Sequence, residues 1–145
     1  TAGVFDPRSE TFYFQDPSAL SAKGILAGTV RHECMHYIIH CARNGRNGND
    51  NRWLEESFCL ALFPVAVYPD AVPPAGLTGI AEFRDYLNRN LESGEKGARR
   101  QAYALAYMWG CHIIRNMGEC VIFRALTARD ASVDWEGQYR LLRKK

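Results

Sequence analysis

A β-prone pattern opens this chain within its first fourteen residues, and most of the rest is patterned for helices. Two aromatic runs, residues 4–5 and 11–14, flank a turn in which Pro7 stands where a type I turn accepts proline. These runs predict a β-hairpin. The chain is therefore predicted to be an α+β domain, with a small N-terminal sheet followed by a mainly helical body.

Apolar periodicity predicts helices through most of the remaining sequence. Segments rich in glycine, proline and asparagine separate them, with residues 44–51 predicted as an exposed loop and residues 65–79 as a long irregular connection. The predicted helices cover residues 19–43, 51–63, 80–91, 98–117 and 119–128, and a last helix is capped by Ser132 or Asp134.

The size and charge of the chain limit the classes of protein to which it can belong. Its 145 residues fit a single domain, residues 1–145. A net charge of +2 and scattered basic residues argue against a nucleic-acid partner. No stretch approaches the roughly 18–20 apolar residues of a membrane span. Because the sequence begins at Thr1 rather than methionine, it is expected to be a processed product or part of a larger protein.

The cysteines do not form a disulfide framework, since their number is odd and none stand in a CxxC pair. Each lies in an apolar helical pattern, which predicts buried free thiols. A single disulfide among them is the alternative. The five are Cys34, Cys41, Cys59, Cys111 and Cys120.

An H-E-x-x-H run, His32-Glu33-Cys34-Met35-His36, falls within a predicted helix. Residues four apart on a helix are offset by about 40° and one turn, so both imidazoles can reach one metal ion. Glu33 then lies beside the ion, where it can take a proton from the attacking water. The small or apolar residues 24–30 before the run favour a metal site over a pair of surface histidines.

A catalytic zinc site needs a third protein ligand and an open position. His40 lies about 12 Å along the helix from His32 and cannot share one ion with both motif histidines. It is predicted to lie behind the ligands or on the surface. A metzincin is excluded, because Ile39 and Ala42 occupy the positions of its glycine and third histidine.

The next predicted helix offers two carboxylates in the segment Trp53-Leu54-Glu55-Glu56-Ser57. Together with H-E-x-x-H, this segment resembles the W-L-x-E-[GS] pattern of the gluzincins, which include the aminopeptidase N-like enzymes and the broader peptidase MA-like families. The resemblance implies a zincin-like fold and one Zn²⁺ per chain. Alignment on the Trp-Leu pair makes Glu56 the third ligand, whereas the eighteen-residue spacing of the aminopeptidases gives Glu55. Glu56 is the predicted ligand, and His112 is the next candidate if neither glutamate binds.

The resemblance continues downstream, where these enzymes carry a tyrosine that faces the substrate oxyanion about four turns before a glycine. Tyr103 stands fifteen residues before Gly118 and is the implied oxyanion donor, with Tyr107 as the alternative. The G-x-M-E-N strand of the aminopeptidases is missing, and only residues 3–6 stand near its place. Its loss favours an endopeptidase or a specialised hydrolase.

The sequence thus predicts zinc-dependent hydrolysis of peptide bonds in a peptide or protein substrate. His32, His36 and Glu56 are the predicted ligands, Glu33 the general base and Tyr103 the oxyanion donor. An edge strand from residues 12–14 is expected to align the substrate backbone. The alternatives are hydrolysis of another amide or ester and a catalytically inactive zinc-binding module, although an intact Glu33 argues against the latter. The resemblance favours a secreted or cell-envelope location.

Overall fold

The computed structural model describes residues 2–44, 51–128 and 132–144. The predicted α+β class is confirmed, because a two-stranded antiparallel sheet precedes a mainly helical body. None of the described helices is both long enough and apolar enough to cross a membrane. The elements are β1 (Gly3–Asp6), β2 (Thr11–Phe14), α1 (Pro17–Ala22), α2 (Leu26–Ala42), α3 (Arg52–Leu62), α4 (Ile80–Asn90), α5 (Lys96–Met117), α6 (Glu119–Thr127) and α7 (Trp135–Arg143).

The single helix predicted over residues 19–43 is wrong, because the chain forms two helices there. Asp16 caps α1 by accepting a hydrogen bond from the backbone N–H of Ser18. Gly24 then adopts a φ of +69°, a left-handed conformation that glycine accepts without steric cost. The other predicted elements are confirmed to within a few residues, and residues 65–79 contain no helix or strand. Most of the predicted loop 44–51 lies outside the described residues.

The hairpin packs across α2. In the sheet, Val4 pairs with Tyr13 and Phe5 with Phe12. The rings of Phe5 and Phe12 lie 5.4 and 5.7 Å from the ring of Tyr37 on α2, both edge-on. Phe5 is buried by this packing. The aromatic contacts therefore hold β1 against the helix that carries the H-E-x-x-H run.

Helix α3 makes its most extensive contacts with α5. At their crossing, a Cβ atom added to Gly110 would lie only 1.9 Å from the carbonyl oxygen of Ser57, so only glycine fits there. Next to the crossing, Trp53 stacks on Trp109 with ring centroids 6.0 Å apart, and both are buried. This close packing fixes the rotation of α3 and thus the direction in which its glutamates point.

The cysteine prediction is wrong for most of the five. Only Cys59 is buried, Cys111 is half-buried, and all five are free thiols. Cys34, Cys41 and Cys120 are exposed, because they lie on the faces of α2 and α6 that point to solvent rather than on the faces that pack on the core.

Candidate metal centre

The two motif histidines on α2 meet Glu56 of α3. The Nε2 atoms of His32 and His36 lie 3.1 Å apart. One carboxylate oxygen of Glu56 lies 3.2 Å from His32 Nε2, and the other lies 3.3 Å from His36 Nε2. Ligand atoms of all three residues lie within 4.8 Å of one another, so this group can hold a metal ion.

The spacing of these atoms is close to that of ligand atoms around a zinc ion. Bonds of about 2.0–2.1 Å in a tetrahedral zinc site place neighbouring ligand atoms about 3.3–3.4 Å apart. The two Nε2 atoms lie 3.1 Å apart, and each lies 3.2 or 3.3 Å from one of the two different oxygens of Glu56, which is close to that spacing. Three protein ligands leave the fourth position of a tetrahedron free, which is typical of catalytic rather than structural sites.

The charges in the group also suit a cation. Burial acts to raise the pKa of Glu56, but hydrogen bonds with His32 and His36 outweigh it and hold that pKa well below its usual value. Burial acts to lower the pKa of His36, whereas Cys59 and the two neighbouring glutamates raise it well above the ordinary value. Glu56 is therefore ionised at neutral pH, as metal binding requires, whereas a metal ion that binds His36 must displace the proton of that ring.

Glu55 lies behind His36 rather than among the three ligand atoms. Its Oε1 atom is 2.7 Å from Nδ1 of His36, the ring nitrogen that faces away from His32. Its Oε2 atom accepts a hydrogen bond of 2.5 Å from Nη1 of Arg43. Of the two candidate glutamates, Glu56 thus lies beside the Nε2 atoms of both histidines, and Glu55 contacts Nδ1 of His36.

A cleft of about 270 Å³ borders the group. It brings together the predicted ligands, the predicted base and the predicted oxyanion donor. Strand β1, helix α2 and helix α5 form its walls beside α3. Besides the three predicted ligands, the cleft is lined by residues that include Gly3, Phe5, Glu33, His40, Arg43, Arg52, Glu55 and Tyr103.

Glu33 is buried and bonded to the sheet. Its Oε2 atom accepts a hydrogen bond of 2.8 Å from the backbone N–H of Phe5. The cleft therefore borders β1, and no residue of β2 lines it. The prediction that residues 12–14 form the edge strand at the site is wrong, because those residues pair on the far side of β1.

Tyr103 of α5 lines the cleft, whereas Tyr107 does not. The negative charge of Glu56, together with burial, raises the pKa of Tyr103 well above its usual value. Its hydroxyl therefore stays protonated and can donate a hydrogen bond. Tyr107, one turn further along, packs instead against Tyr68, with ring centroids 5.1 Å apart.

The two remaining histidines stand apart from the ligand group. His40 lines the cleft but lies 3.5 Å from Glu10 and beside the ring of Phe5. His112, the reserve ligand candidate, stacks on Trp109, and its Nε2 atom lies 2.9 Å from the carbonyl oxygen of Gln138. Neither belongs to the group that can hold an ion.

Two groups at the site were missed by sequence reasoning. The backbone N–H of Phe5 carries no side-chain signal, so no pattern could have identified it. Arg43 has a weak signal, since it follows His36 by seven residues, or about two turns, and so falls on the same helix face.

Comparison of the chain with protein-family models, with curated proteins and with solved structures finds no match. The interpretation of the site therefore depends on its geometry and on its two short motifs.

Proposed function

We propose that this domain is a zinc-dependent peptidase of the gluzincin type, with a zincin-like fold. One observation carries the proposal: the imidazoles of His32 and His36 converge with the carboxylate of Glu56 in a cleft that Glu33 also lines. The four residues come from the H-E-x-x-H and W-L-x-E-S runs, so the geometry and the motifs agree on the same side chains.

The donor set supports zinc as the metal. Two imidazole nitrogens and one carboxylate are ligands that Zn²⁺ takes in hydrolytic sites with three protein ligands. A bound zinc ion would polarise the scissile carbonyl and acidify a water molecule.

Glu33 is the general base in this proposal. It takes a proton from the attacking water and later passes it to the leaving amine. Its hydrogen bond with the Phe5 backbone N–H uses one carboxylate oxygen and leaves the other for that proton. The bond also fixes the side chain against β1, so that its position does not depend on the substrate.

Tyr103 is the oxyanion donor in this proposal. It lies on the cleft with its hydroxyl protonated at neutral pH, as tyrosine ordinarily is, and Glu56 and burial raise its pKa further. A neutral donor of this kind stabilises charge that develops on the carbonyl oxygen in the transition state.

The outer edge of β1 supports a peptide as substrate. The Phe5 N–H bonds Glu33 and so points away from β2. Since backbone groups alternate along a strand, the N–H and C=O groups of Gly3 point the same way, toward the cleft. An extended peptide can add to such an edge through main-chain hydrogen bonds.

The carboxylates near the cleft favour an endopeptidase over an aminopeptidase. Glu33 is bonded to β1, Glu55 to His36 and Arg43, and Glu56 to the ligand group. Asp6, which stands where the aminopeptidases carry their specificity strand, accepts hydrogen bonds within the hairpin turn. Among the described residues that line the cleft, no further acid stands ready to bind a free amino terminus.

A peptide-library digest tests the proposed function. The zinc-loaded protein should cleave internal peptide bonds, with cleavage sites read by mass spectrometry, and a chelator should abolish the activity. Glu33→Gln should keep its zinc and lose about 10² or more in rate. Glu119→Gln, an exposed glutamate on α6, serves as the matched control and should keep the parental rate.

Each contrary outcome of the digest has a distinct meaning. Cleavage by Glu33→Gln at the parental rate would exclude the proposed base. Hydrolysis of model esters or amides without peptide cleavage would indicate a different zinc hydrolase. Zinc binding without any hydrolysis would indicate an inactive module.

A further inference from the structure

Arg43, the residue after the end of α2, links three helices. Its side chain is buried, and its Nε–H donates a hydrogen bond of 2.7 Å to the carbonyl oxygen of Leu126. Leu126 lies in the last turn of α6, where carbonyl oxygens have no partner within the helix. A cation is favourable at this end of a helix. The contact with α6 thus fixes the position of the guanidinium next to the metal centre.

The second contact of Arg43 leads to the metal centre. Its Nη1–H bonds Oε2 of Glu55 at 2.5 Å, and Oε1 of Glu55 lies 2.7 Å from Nδ1 of His36. An ionised carboxylate only accepts hydrogen bonds, so His36 must donate from Nδ1. In the neutral ring that a metal ion requires, the lone pair then lies on Nε2, the atom that faces His32 and Glu56. Metal binding requires this tautomer.

We infer that Arg43 is a positioning residue of the metal centre, which holds Glu55 against His36 and thereby fixes the ring nitrogen that His36 offers to the metal. The inference rests on the proposed zinc site. Glu55 is largely buried, with its side chain 16% exposed, and a buried carboxylate without a cationic partner is strongly disfavoured. Without Arg43, the carboxylate turns toward water and leaves His36.

The shape of the guanidinium matters as much as its charge. One planar group contacts both the Leu126 carbonyl and the Glu55 carboxylate, through different nitrogen atoms. A lysine ammonium is a single point on a flexible stem and cannot hold both acceptors in a fixed relation. Arg43→Lys should therefore restore the charge but only part of the effect on the metal.

Arg52 provides a matched control, because it is a second arginine that lines the same cleft. It pairs with Glu92, and both side chains are about half exposed. Exposed ion pairs of this kind contribute little to the stability of the fold. Arg52 also makes no contact with Glu55 or His36 among the hydrogen bonds of the described residues. Its loss removes one positive charge from the cleft without disturbing the chain of contacts to His36.

The experiment measures zinc affinity by competition with a chromogenic chelator, alongside thermal unfolding of the metal-free and zinc-loaded forms. Arg43→Met should weaken zinc binding about 10–100-fold, the range for partners that orient metal ligands. Arg43→Lys should fall between Arg43→Met and the parent, and Arg52→Met should match the parent. Adding Glu55→Gln to Arg43→Met should lower the zinc affinity little further, because both changes break the same chain of contacts.

The outcomes separate this inference from the proposed function. Unchanged zinc affinity in Arg43→Met would overturn the inference and leave the zinc site intact, whether or not the variant melts earlier. Fully additive losses in the double variant would overturn it as well. Failure of the parental protein to bind zinc would instead overturn the proposed function. If Arg43→Met does not fold, Arg43→Lys decides: zinc affinity below that of the parent supports the inference, and parental zinc affinity overturns it.

Discussion

The backbone N–H of Phe5 donates a hydrogen bond of 2.8 Å to Oε2 of Glu33. A strand residue thereby orients the side chain that we propose as the general base. The same strand borders the cleft, which Gly3 also lines. In the proposed mechanism, this short strand therefore serves both the general base and the binding of substrate.

Removing this N–H should lower turnover. Phe5→Pro deletes the donor, and because the Phe5 N–H lies outside the pairing with β2, no ladder hydrogen bond is lost. Phe5→Ala keeps the N–H and removes the ring, so it serves as the control. We expect kcat of Phe5→Pro to be roughly tenfold or more below that of Phe5→Ala, with similar zinc affinity. Equal kcat values would show that the bond does not orient the base.

The two glutamates of α3 should differ in their effect on the metal. Glu56→Ala removes a proposed ligand, whereas Glu55→Ala removes only the partner of His36. In chelator competition, both variants should bind zinc more weakly than the parent, and Glu56→Ala should be the weaker of the two. The reverse order would mean that Glu55 is the ligand.

Tyr103→Phe should lower kcat while leaving zinc affinity and KM nearly unchanged, because an oxyanion donor acts in the transition state. Loss of one such donor costs about 10²–10³-fold. Tyr107→Phe is the control, since Tyr107 packs on Tyr68 away from the cleft. A loss of kcat in Tyr107→Phe rather than Tyr103→Phe would contradict the assignment.

Gly110→Ala should destabilise the fold. The added methyl group would meet the backbone carbonyl of Ser57 at 1.9 Å, and a backbone atom between two packed helices cannot move aside cheaply. We expect the free energy of unfolding in urea to fall by about 1–3 kcal/mol or more. Gly76→Ala, where no atom lies within 4 Å, should change it little. Equal effects of the two substitutions would contradict the close helix crossing.

Local patterns predicted most of the fold. The hairpin followed from two aromatic runs around a turn, and α3 to α6 followed from apolar periodicity between proline- and glycine-rich breaks. The break at Gly24 was missed, because a single glycine within a helical pattern does not by itself end a helix, and here its left-handed φ separates α1 from α2. Burial of individual cysteines was missed for a related reason, since an apolar neighbourhood in sequence does not fix which helix face packs on the core.

The side chains of the site were more predictable than its backbone. His32 and His36 follow from helical spacing, and Glu56 from a Trp-Leu pair whose tryptophan stacks on Trp109 in the core. Which strand borders the cleft depends on how the hairpin docks on α2, a contact between distant segments. The contact between Arg43 and the last turn of α6 depends likewise on tertiary packing, and sequence spacing alone could not give it.

The most direct test of the central claim, that His32, His36 and Glu56 hold one zinc ion, is the zinc content of two histidine variants. His36→Ala removes a proposed ligand, and His40→Ala removes a histidine of the same cleft that lies outside the group. Elemental analysis after equal zinc loading and dialysis should give one zinc per chain for the parent and for His40→Ala, and far less for His36→Ala. Full zinc occupancy in His36→Ala, or loss of zinc in His40→Ala alone, would contradict it.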